Sequence, residues 1–232
     1  MHISIIGNGK MGKAVAALAA QRGHTIQTVV AGPENRAGRA LTAERLSGTE
    51  VALEFTRPDA VLPNLERLID LDIPTVTGTT GWTEQLPAIE LLVQRKGGAL
   101  LYAANFSVGV HLFLRVARAL AQCFRGWPDF TEAIHEEHHA SKVDAPSGTA
   151  LLLQQQLREI EPRRRFPITS TRTGETPGTH TISYETPQET VTLGHISRGR
   201  DVFAAGALAA AEWLPGHRGV FTFDDLLFEA EH

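Results

Sequence analysis

Cysteine is nearly absent from this 232-residue chain: Cys123 stands alone, so no intrachain disulfide framework can form and stability must come from a packed core. A single thiol inside an apolar stretch reads as a buried, inert side chain in a protein of the reducing cytosol. A surplus of positive charge is also lacking. The formal net charge of −4 offers no basic face to a phosphate backbone, so nucleic acid is not expected as a partner. The one basic cluster, Arg163-Arg164-Arg165, follows a predicted helix end and reads as a solvated turn that suits the helix dipole. No run of about 18 uninterrupted apolar residues occurs, which excludes a helical membrane span. The N-terminus enters a strand directly, without the charged-then-apolar design of a signal peptide, and a cytoplasmic location is expected. Internal repeats and low-complexity linkers are missing as well.

What is present is ordinary for a globular chain: 42% hydrophobic and 21% charged residues, enough for one large domain or two modest ones. The first hundred residues alternate apolar strands (Ile3 to Ile6, Thr25 to Val30, Val51 to Phe55, Thr75 to Thr77, Ala99 to Tyr102) with helical patterns near 10–22, 58–71 and 83–95. That alternation predicts an α/β, Rossmann-like domain with a parallel sheet covered on both faces. After Asn105 the pattern changes. Ser107 is placed to cap a helix running to about residue 124, with Val108, Leu112, Val116 and Leu120 on one stripe. A strand over Phe130 to His138, a helix near 148–160 and strands near 167–172, 179–185 and 190–196 follow. They predict a second, α+β domain with a mixed or antiparallel sheet, closed by a small-residue helix at about 201–214. The expected division is 1–106 for a dinucleotide-binding domain, to which 215–232 returns, and 107–214 for a substrate-binding and oligomerisation domain.

Gly7-Asn8-Gly9-Lys10-Met11-Gly12 matches GxGxxG between the first strand and the first helix. Gly7 permits the tight turn, Gly9 lets backbone approach a pyrophosphate, and Gly12 lets helix and strand pack closely. A second glycine turn, Gly78-Thr79-Thr80-Gly81, follows the fourth strand, where ligands bind in such sheets. The acid expected about 20 residues on, for a ribose hydroxyl, is replaced by Ala31-Gly32-Pro33, with Glu34 slightly late. Lys10, Arg36 and Arg39 could meet a 2′-phosphate, so NADPH and NADH both stand as cofactors.

The densest chemistry lies between His135 and Thr149. His135-Glu136-Glu137-His138-His139 satisfies HExxH, a zinc-hydrolase motif that needs a helix to put both histidines on one face. The preceding Phe130 to Ile134 is strand-like, and at strand period His135 and His139 would stand about 13 Å apart. No metal is therefore expected. Pro146-Ser147-Gly148-Thr149 instead opens a helix whose N–H groups form an anion seat, and Lys142 adds a positive charge. An unperturbed histidine has a pKa of about 6.5, so a side chain of the type at His138 or His139 could supply a proton during hydride transfer.

The segment Glu136-Glu137-His138-His139-Ala140-Ser141-Lys142-Val143-Asp144-Ala145-Pro146-Ser147-Gly148-Thr149-Ala150 resembles the signature of the dihydrodipicolinate reductase family of bacterial lysine biosynthesis. The Gly7-to-Gly12 loop, Glu54-Phe55-Thr56, Gly78-to-Gly81, Ala103-to-Val110, Arg172-Thr173-Gly174, Gly178-Thr179-His180 and His195 through Ala207 extend the resemblance, in order, over nearly the whole chain. The resemblance implies a two-domain enzyme, assembled as a homotetramer through a sheet of its second domain. By position it implies His138 as proton donor with Lys142 as its catalytic partner. It places substrate carboxylates on His139, Lys142, Ser147, Gly148 and Thr149. The cofactor would lie against Gly7, Asn8, Gly9, Lys10, Met11, Gly12, Gly78, Thr79, Thr80, Ala103, Ala104, Asn105 and Phe106. The implied reaction sends hydride from NAD(P)H to C4 of a cyclic unsaturated dicarboxylate, after or with loss of its 4-hydroxyl. Ser197, where the family usually has alanine, and the short stretch between the second and third strands depart from the pattern. Arg198 and Arg200 could orient a carboxylate or cap the next helix, the structural role being favoured. Another imine or amino-acid dehydrogenase would share the first domain but lack the Lys142-to-Thr149 site. A zinc hydrolase would need His135 and His139, and a dinucleotide sensor would have no use for His138 beside Lys142.

Overall fold

Short aliphatic runs form the strands of a six-stranded parallel sheet: β1 (His2–Ile6), β2 (Thr25–Val30), β3 (Val51–Glu54), β4 (Thr75–Thr77), β5 (Ala99–Tyr102) and β10 (Gly219–Thr222). Their order is β10-β5-β4-β3-β1-β2 in the computed structural model, which describes residues 1–199 and 201–228. Period-two alternation splits the sheet's side chains between two helical layers. Ile3, Ile5, Val51, Leu53 and Leu101 join a cluster with Val15 and Ala19 of α1 (Lys10–Gln21) and with α6 (Asp201–Trp213). On the opposite face Leu100 packs with Val61 and Leu65 of α2 (Val61–Asp70) and Ile89 and Val93 of α3 (Leu86–Lys96). The link from β2 to β3 contains no α-helix. A 3-10 turn at Arg36–Gly38 and further turns replace it, and they cover Ile6, Val30 and Ala52 with Leu41 and Leu46.

The second unit, Val108–Arg200, carries a four-stranded sheet in order β7-β6-β8-β9, with β6 (Thr131–His138), β7 (Ile168–Arg172), β8 (Gly178–Glu185) and β9 (Thr190–Ser197). The β6–β8 and β8–β9 pairs are antiparallel. β6 and β7 pair in parallel because α5 (Gly148–Ile160) connects them as a crossover, so the sheet is mixed. Val110, Phe113, Leu114, Ala117 and Ala121 of α4 (Val108–Phe124) and Leu153 and Leu157 of α5 pack on Ile134, Ile182 and Tyr184.

Several expectations change here. The helix at 201–213 belongs with Met1–Ser107 and not with the second unit. Its buried face consists of Ala204, Gly206, Ala207, Leu208, Ala210 and Ala211, small enough to bring it close to α1. A Cβ at Gly206 would collide with the Phe106 carbonyl. The segment beyond 215 does return to the first sheet: β10 pairs with β5, and α7 (Phe223–Phe228) follows it. On α4 the buried stripe is not the expected one. Phe113 and the small Ala117 and Ala121 face the sheet, which leaves Val108, Leu112 and Val116 exposed. The same phase puts Cys123 on the surface, so its thiol is exposed and not buried. Arg164 is no solvated turn residue either. Its guanidinium is pinned to Glu132 (2.8 Å) and to the carbonyls of Phe124 (3.2 Å), Phe130 (2.5 Å) and Trp127 (2.8 Å). Among the described residues no helix is long and apolar enough to cross a membrane.

Candidate active site

In the first unit β1 has β2 on one side and β3 on the other, which makes its carboxyl end the switch point where α/β sheets open a crevice. The glycine loop begins there. Gly7 donates its N–H to the Val30 carbonyl (2.8 Å) at φ +108°, and any Cβ would run into the Phe55 carbonyl. Gly12 sits against Gly7 with the same intolerance: its Cβ would meet the Gly7 carbonyl and lie 3.2 Å from Ile5 Cγ2. Gly9 is different. It caps α1 without a side-chain bond, a Cβ there meets nothing within 4 Å, and Asn8, Gly9 and Lys10 are exposed. The first turn of α1 also lacks an acidic residue. Two glycines thus hold the loop against the sheet and a third leaves space before a helix N-terminus, the arrangement a pyrophosphate requires.

The other two predicted cofactor segments leave the carboxyl ends of β4 and β5, so all three converge on one end of the sheet. A buried carboxylate knits them. Glu54, at the end of β3, accepts the Thr77 and Thr79 hydroxyls (2.7 Å each) on Oε2, and the Thr56 hydroxyl and Asn64 amide (3.2 Å) on Oε1. Thr79 Oγ1 in turn accepts the Thr56 N–H at 2.9 Å. A Cβ on Gly78 would strike the Phe55 ring and approach Phe106, itself buried edge-on to Phe55 and Phe223. Ala103 donates its N–H to the Thr77 carbonyl (3.1 Å), and Asn105 Oδ1 accepts the Ser107 N–H (2.7 Å). Thr80 and Ala104 are exposed at the same end. Glu34, late by residue count, is folded back by the turn after β2. Its Oε1 accepts the Ala31 N–H (2.9 Å) and an Arg45 N–H (2.7 Å), while Arg36 and Arg39 stay exposed.

The second unit gathers the proton-handling groups. Alternation puts Ile134, Glu136 and His138 on the buried face of β6, and His135 and Glu137 on the other. Register brings Ser170 and His180 opposite Glu136, and Arg172 opposite His138. Glu136 is fully buried, and its Oε1 accepts the Ser147 N–H (3.0 Å), the Ser170 hydroxyl (2.8 Å) and an Arg172 N–H (2.7 Å). Its Oε2 points at His138 Nδ1 (3.3 Å) and His180 Nε2 (3.8 Å). The two imidazoles meet edge-on with centroids 5.1 Å apart. His138 Nε2 lies against Gly178, where a Cβ would come within 3.0 Å.

Ser147 caps α5, its hydroxyl accepting the Ala150 N–H (3.3 Å) and meeting His180 Nε2 (3.1 Å). The polar atoms of Ser147 are thus engaged within the protein, while Gly148 is exposed and Thr149 half-buried at the head of the helix. Lys142 donates to Asp144 Oδ1 (2.7 Å), and Arg172 holds the Asp144 carbonyl (2.6 Å). His139 turns its Nδ1 to the Ser141 hydroxyl (2.8 Å).

Burial would raise the Glu136 carboxyl, but the bonds from Ser147, Arg172 and Ser170 outweigh it and set the group at about 2. Burial lowers His138; Glu136 and Asp144 pull it back up, while Lys142 and Arg172 push it further down. His180 falls to about 4, first through burial and then through the neighbouring His138. Hydrogen bonding from Lys142 lowers Asp144. Glu136, His138 and His180 each bring one metal-ligand-type atom within 4.8 Å of the others. Because Arg172 already neutralises the carboxylate, the trio reads as a charge and hydrogen-bond relay. The HExxH match lies on a strand and its end, with His135 on the opposite face bonded to Thr169 (3.0 Å), so the helix a zinc hydrolase needs is not formed.

Sequence reasoning singled out His138, Lys142 and the Ser147-to-Thr149 turn, but gave no role to Glu136, Arg172 or His180. Glu136 was findable, since strand period places it beside His138. Arg172 and His180 reach the cluster only through strand register, which no local pattern reveals. Arg200 lies outside the described residues, and Arg198 is exposed.

A glycine-loop crevice on a parallel sheet, with a separate unit carrying a cation, a helix head and a buried histidine, defines a two-unit dinucleotide-dependent oxidoreductase. Residues 1–106 match the family description "Dihydrodipicolinate reductase, N-terminus" and residues 109–227 match "Dihydrodipicolinate reductase, C-terminus". The chain belongs to the dihydrodipicolinate reductase family. It is 33% identical over 238 residues to the 4-hydroxy-tetrahydrodipicolinate reductase of Christiangramia forsetii, covering 98% of each chain. It is likewise 33% identical to that of Staphylococcus carnosus, covering 97% of this chain and 99% of the relative. Among solved structures, a dipicolinate-bound dihydrodipicolinate reductase from Paenisporosarcina sp. TG-14 shares the fold with a TM-score of 0.81 at 23% identity, over 96% of this chain and 97% of that one.

Proposed function

We propose that this chain reduces 4-hydroxy-tetrahydrodipicolinate to tetrahydrodipicolinate with NAD(P)H, within diaminopimelate and lysine biosynthesis. The observation that carries the reading is the joining of His138 to the head of α5 through one buried carboxylate, Glu136. Gly7 to Gly12, Gly78 to Thr80 and Ala103 to Phe106 hold the cofactor. Bound NAD(P)H supplies the hydride that goes to ring C4. Lys142, His139 and the N–H groups of Gly148 and Thr149 take the substrate carboxylates, with Ser147 fixing the turn beneath them. Each helix-head contact contributes about 0.3–1 kcal/mol when exposed and up to about 2 when partly buried. His138 gives a proton to the electron-rich product of hydride addition, and Lys142 adds positive charge beside it. Departure of the 4-hydroxyl as water balances the net reaction: substrate, NAD(P)H and one proton give tetrahydrodipicolinate, NAD(P)+ and water.

The test follows NADPH and NADH absorbance with freshly generated substrate and chelator present throughout. Oxidation in the presence of chelator is expected, and its absence with cofactor binding intact would overturn the proposed substrate. Running both cofactors ranks Glu34 against Lys10, Arg36 and Arg39. A cytoplasmic location accords with an NAD(P)H-using biosynthetic reductase and a single free thiol.

The same reading includes a homotetramer. The sheet face turned away from α4 and α5 carries Ala133, Thr179, Thr181, Gly194 and Ile196, small or β-branched residues, together with His135, and Ile196 is 70% exposed. Such a face suits sheet-to-sheet packing. Ile196→Asp should shift the species seen by size exclusion with light scattering from tetramer to a smaller form. A wild-type monomer would remove this assembly from the proposal.

A further inference from the structure

We propose that Glu136 is a positioning residue whose two carboxylate oxygens divide the work: Oε1 fixes the anion seat at the head of α5, and Oε2 orients the imidazole of His138. The inference rests on the reductase reading for its catalytic consequence, though not for its geometry.

The division is visible atom by atom. Oε1 is saturated, with the Ser147 N–H, the Ser170 hydroxyl and Arg172 all bonded to it. Arg172 extends that hold to the Asp144 carbonyl, so one guanidinium and one oxygen clamp both ends of the turn between Lys142 and Gly148. Oε2 and His138 Nδ1 are each buried without a hydrogen-bond partner, yet they face one another at 3.3 Å. A buried carboxylate oxygen and a buried ring nitrogen so placed satisfy each other by one bond, Nδ1–H donating to Oε2. The ring N–H is not yet aligned with Oε2 at that distance, and a small turn of the imidazole about its side-chain torsions brings the pair to charge-assisted geometry. That bond leaves Nε2, on the Gly178 side, as the nitrogen free to exchange a proton. It also favours the imidazolium over the neutral ring. The other charged groups around His138 are Arg172 from β7 and Lys142 and Asp144 from the loop, and the titratable His180 of β8, lowered to about 4, stands beside it as a neutral ring at neutral pH. Arg172 and Lys142 oppose the imidazolium, so removing Glu136's charge leaves only Asp144 to offset them.

Glu136→Gln keeps an oxygen for Ser147, Ser170 and Arg172 but turns an amide N–H toward Nδ1, which must then accept. Three readouts follow. Side-chain 15N NMR of the wild type at neutral pH, with His138→Asn assigning the signal, should show the Nδ1–H tautomer. The Gln variant should show Nε2–H and titrate about one pH unit lower. Turnover should fall roughly 10–100-fold, with its alkaline limb moved to lower pH, because the proton-donating form is lost earlier as pH rises. The substrate KM should change far less, since the seat is retained. An Nε2–H tautomer in the wild type would overturn the proposal without any variant. So would an unchanged His138 titration in Glu136→Gln with only a lowered melting temperature, which is the signature of a structural role. If the tautomer changes as expected but the wild type shows no turnover, the pairing stands and the reductase reading fails.

Discussion

Lys142→Ala should lower turnover by roughly 10²–10⁴-fold, the range of groups that assist proton transfer, while leaving NADPH affinity nearly unchanged. That range corresponds to about 2.7–5.5 kcal/mol of lost transition-state stabilisation. The argument has two parts. Lys142 stands on the turn between His138 and the head of α5, within electrostatic reach of the imidazole, and its ammonium is held by Asp144 at 2.7 Å. A dicarboxylate arriving there finds a cation already aimed and a helix head beside it, so the loss bears on both seating the substrate and stabilising charge during reduction. The expected split is a large fall in kcat together with a raised substrate KM. The proposed cofactor segments, 7–12, 78–80 and 103–106, lie by contrast in the other unit. Fluorescence titration with NADPH should therefore return the wild-type constant. Folding stability should barely move, because the Asp144 partner is more than half exposed and such a pair contributes little. Loss of NADPH binding in this variant would sink the division of labour between the two units.

The sequence carried the sheet of the first unit almost to the residue because its strands are continuous apolar runs bounded by glycine or polar turns. Thr25–Val30, Thr75–Thr77 and Ala99–Tyr102 stand where the pattern puts them. The capped head of α5 was legible for a similar reason: Ser147 before Gly148 is a capping signal that works through the nearest few residues. What stayed hidden depends on contacts remote in sequence. Helix α6 is apolar on nearly every side, so periodicity could not say which unit buries it; the close approach of Gly206 to the Phe106 carbonyl decides that. Two apolar stripes compete on α4, and the one with Ala117 and Ala121 wins because small side chains let the helix lie closer to the sheet. Arg164 looked solvated because its carbonyl partners, at 124, 127 and 130, are arranged by a turn more than thirty residues upstream. Glu136, Arg172 and His180 become one cluster only when β7 and β8 pair on either side of β6.

The first unit yields the opposite experiment. Gly12→Val should raise the NADPH dissociation constant by roughly 100-fold or more, the cost of a few kcal/mol placed on a rigid contact. Its Cβ would occupy the space of the Gly7 carbonyl, with Ile5 Cγ2 only 3.2 Å away, and the obstacle is backbone that has no rotamer to change. Helix α1 must then shift off β1 and carry its N-terminal N–H groups out of register with the pyrophosphate position. Some loss of stability will accompany this, since α1 also packs on α6 through Val15 and Ala19. Gly9→Ala separates the two effects. Gly9 has φ −80° and ψ −171°, which alanine adopts readily, and an added Cβ touches no protein atom within 4 Å. Its melting temperature should match the wild type while NADPH binding weakens, because the new methyl fills space that only a ligand would use. Full cofactor affinity in Gly12→Val would refute the phosphate loop. Unaltered affinity in Gly9→Ala would move the pyrophosphate away from the Gly9 end of the helix.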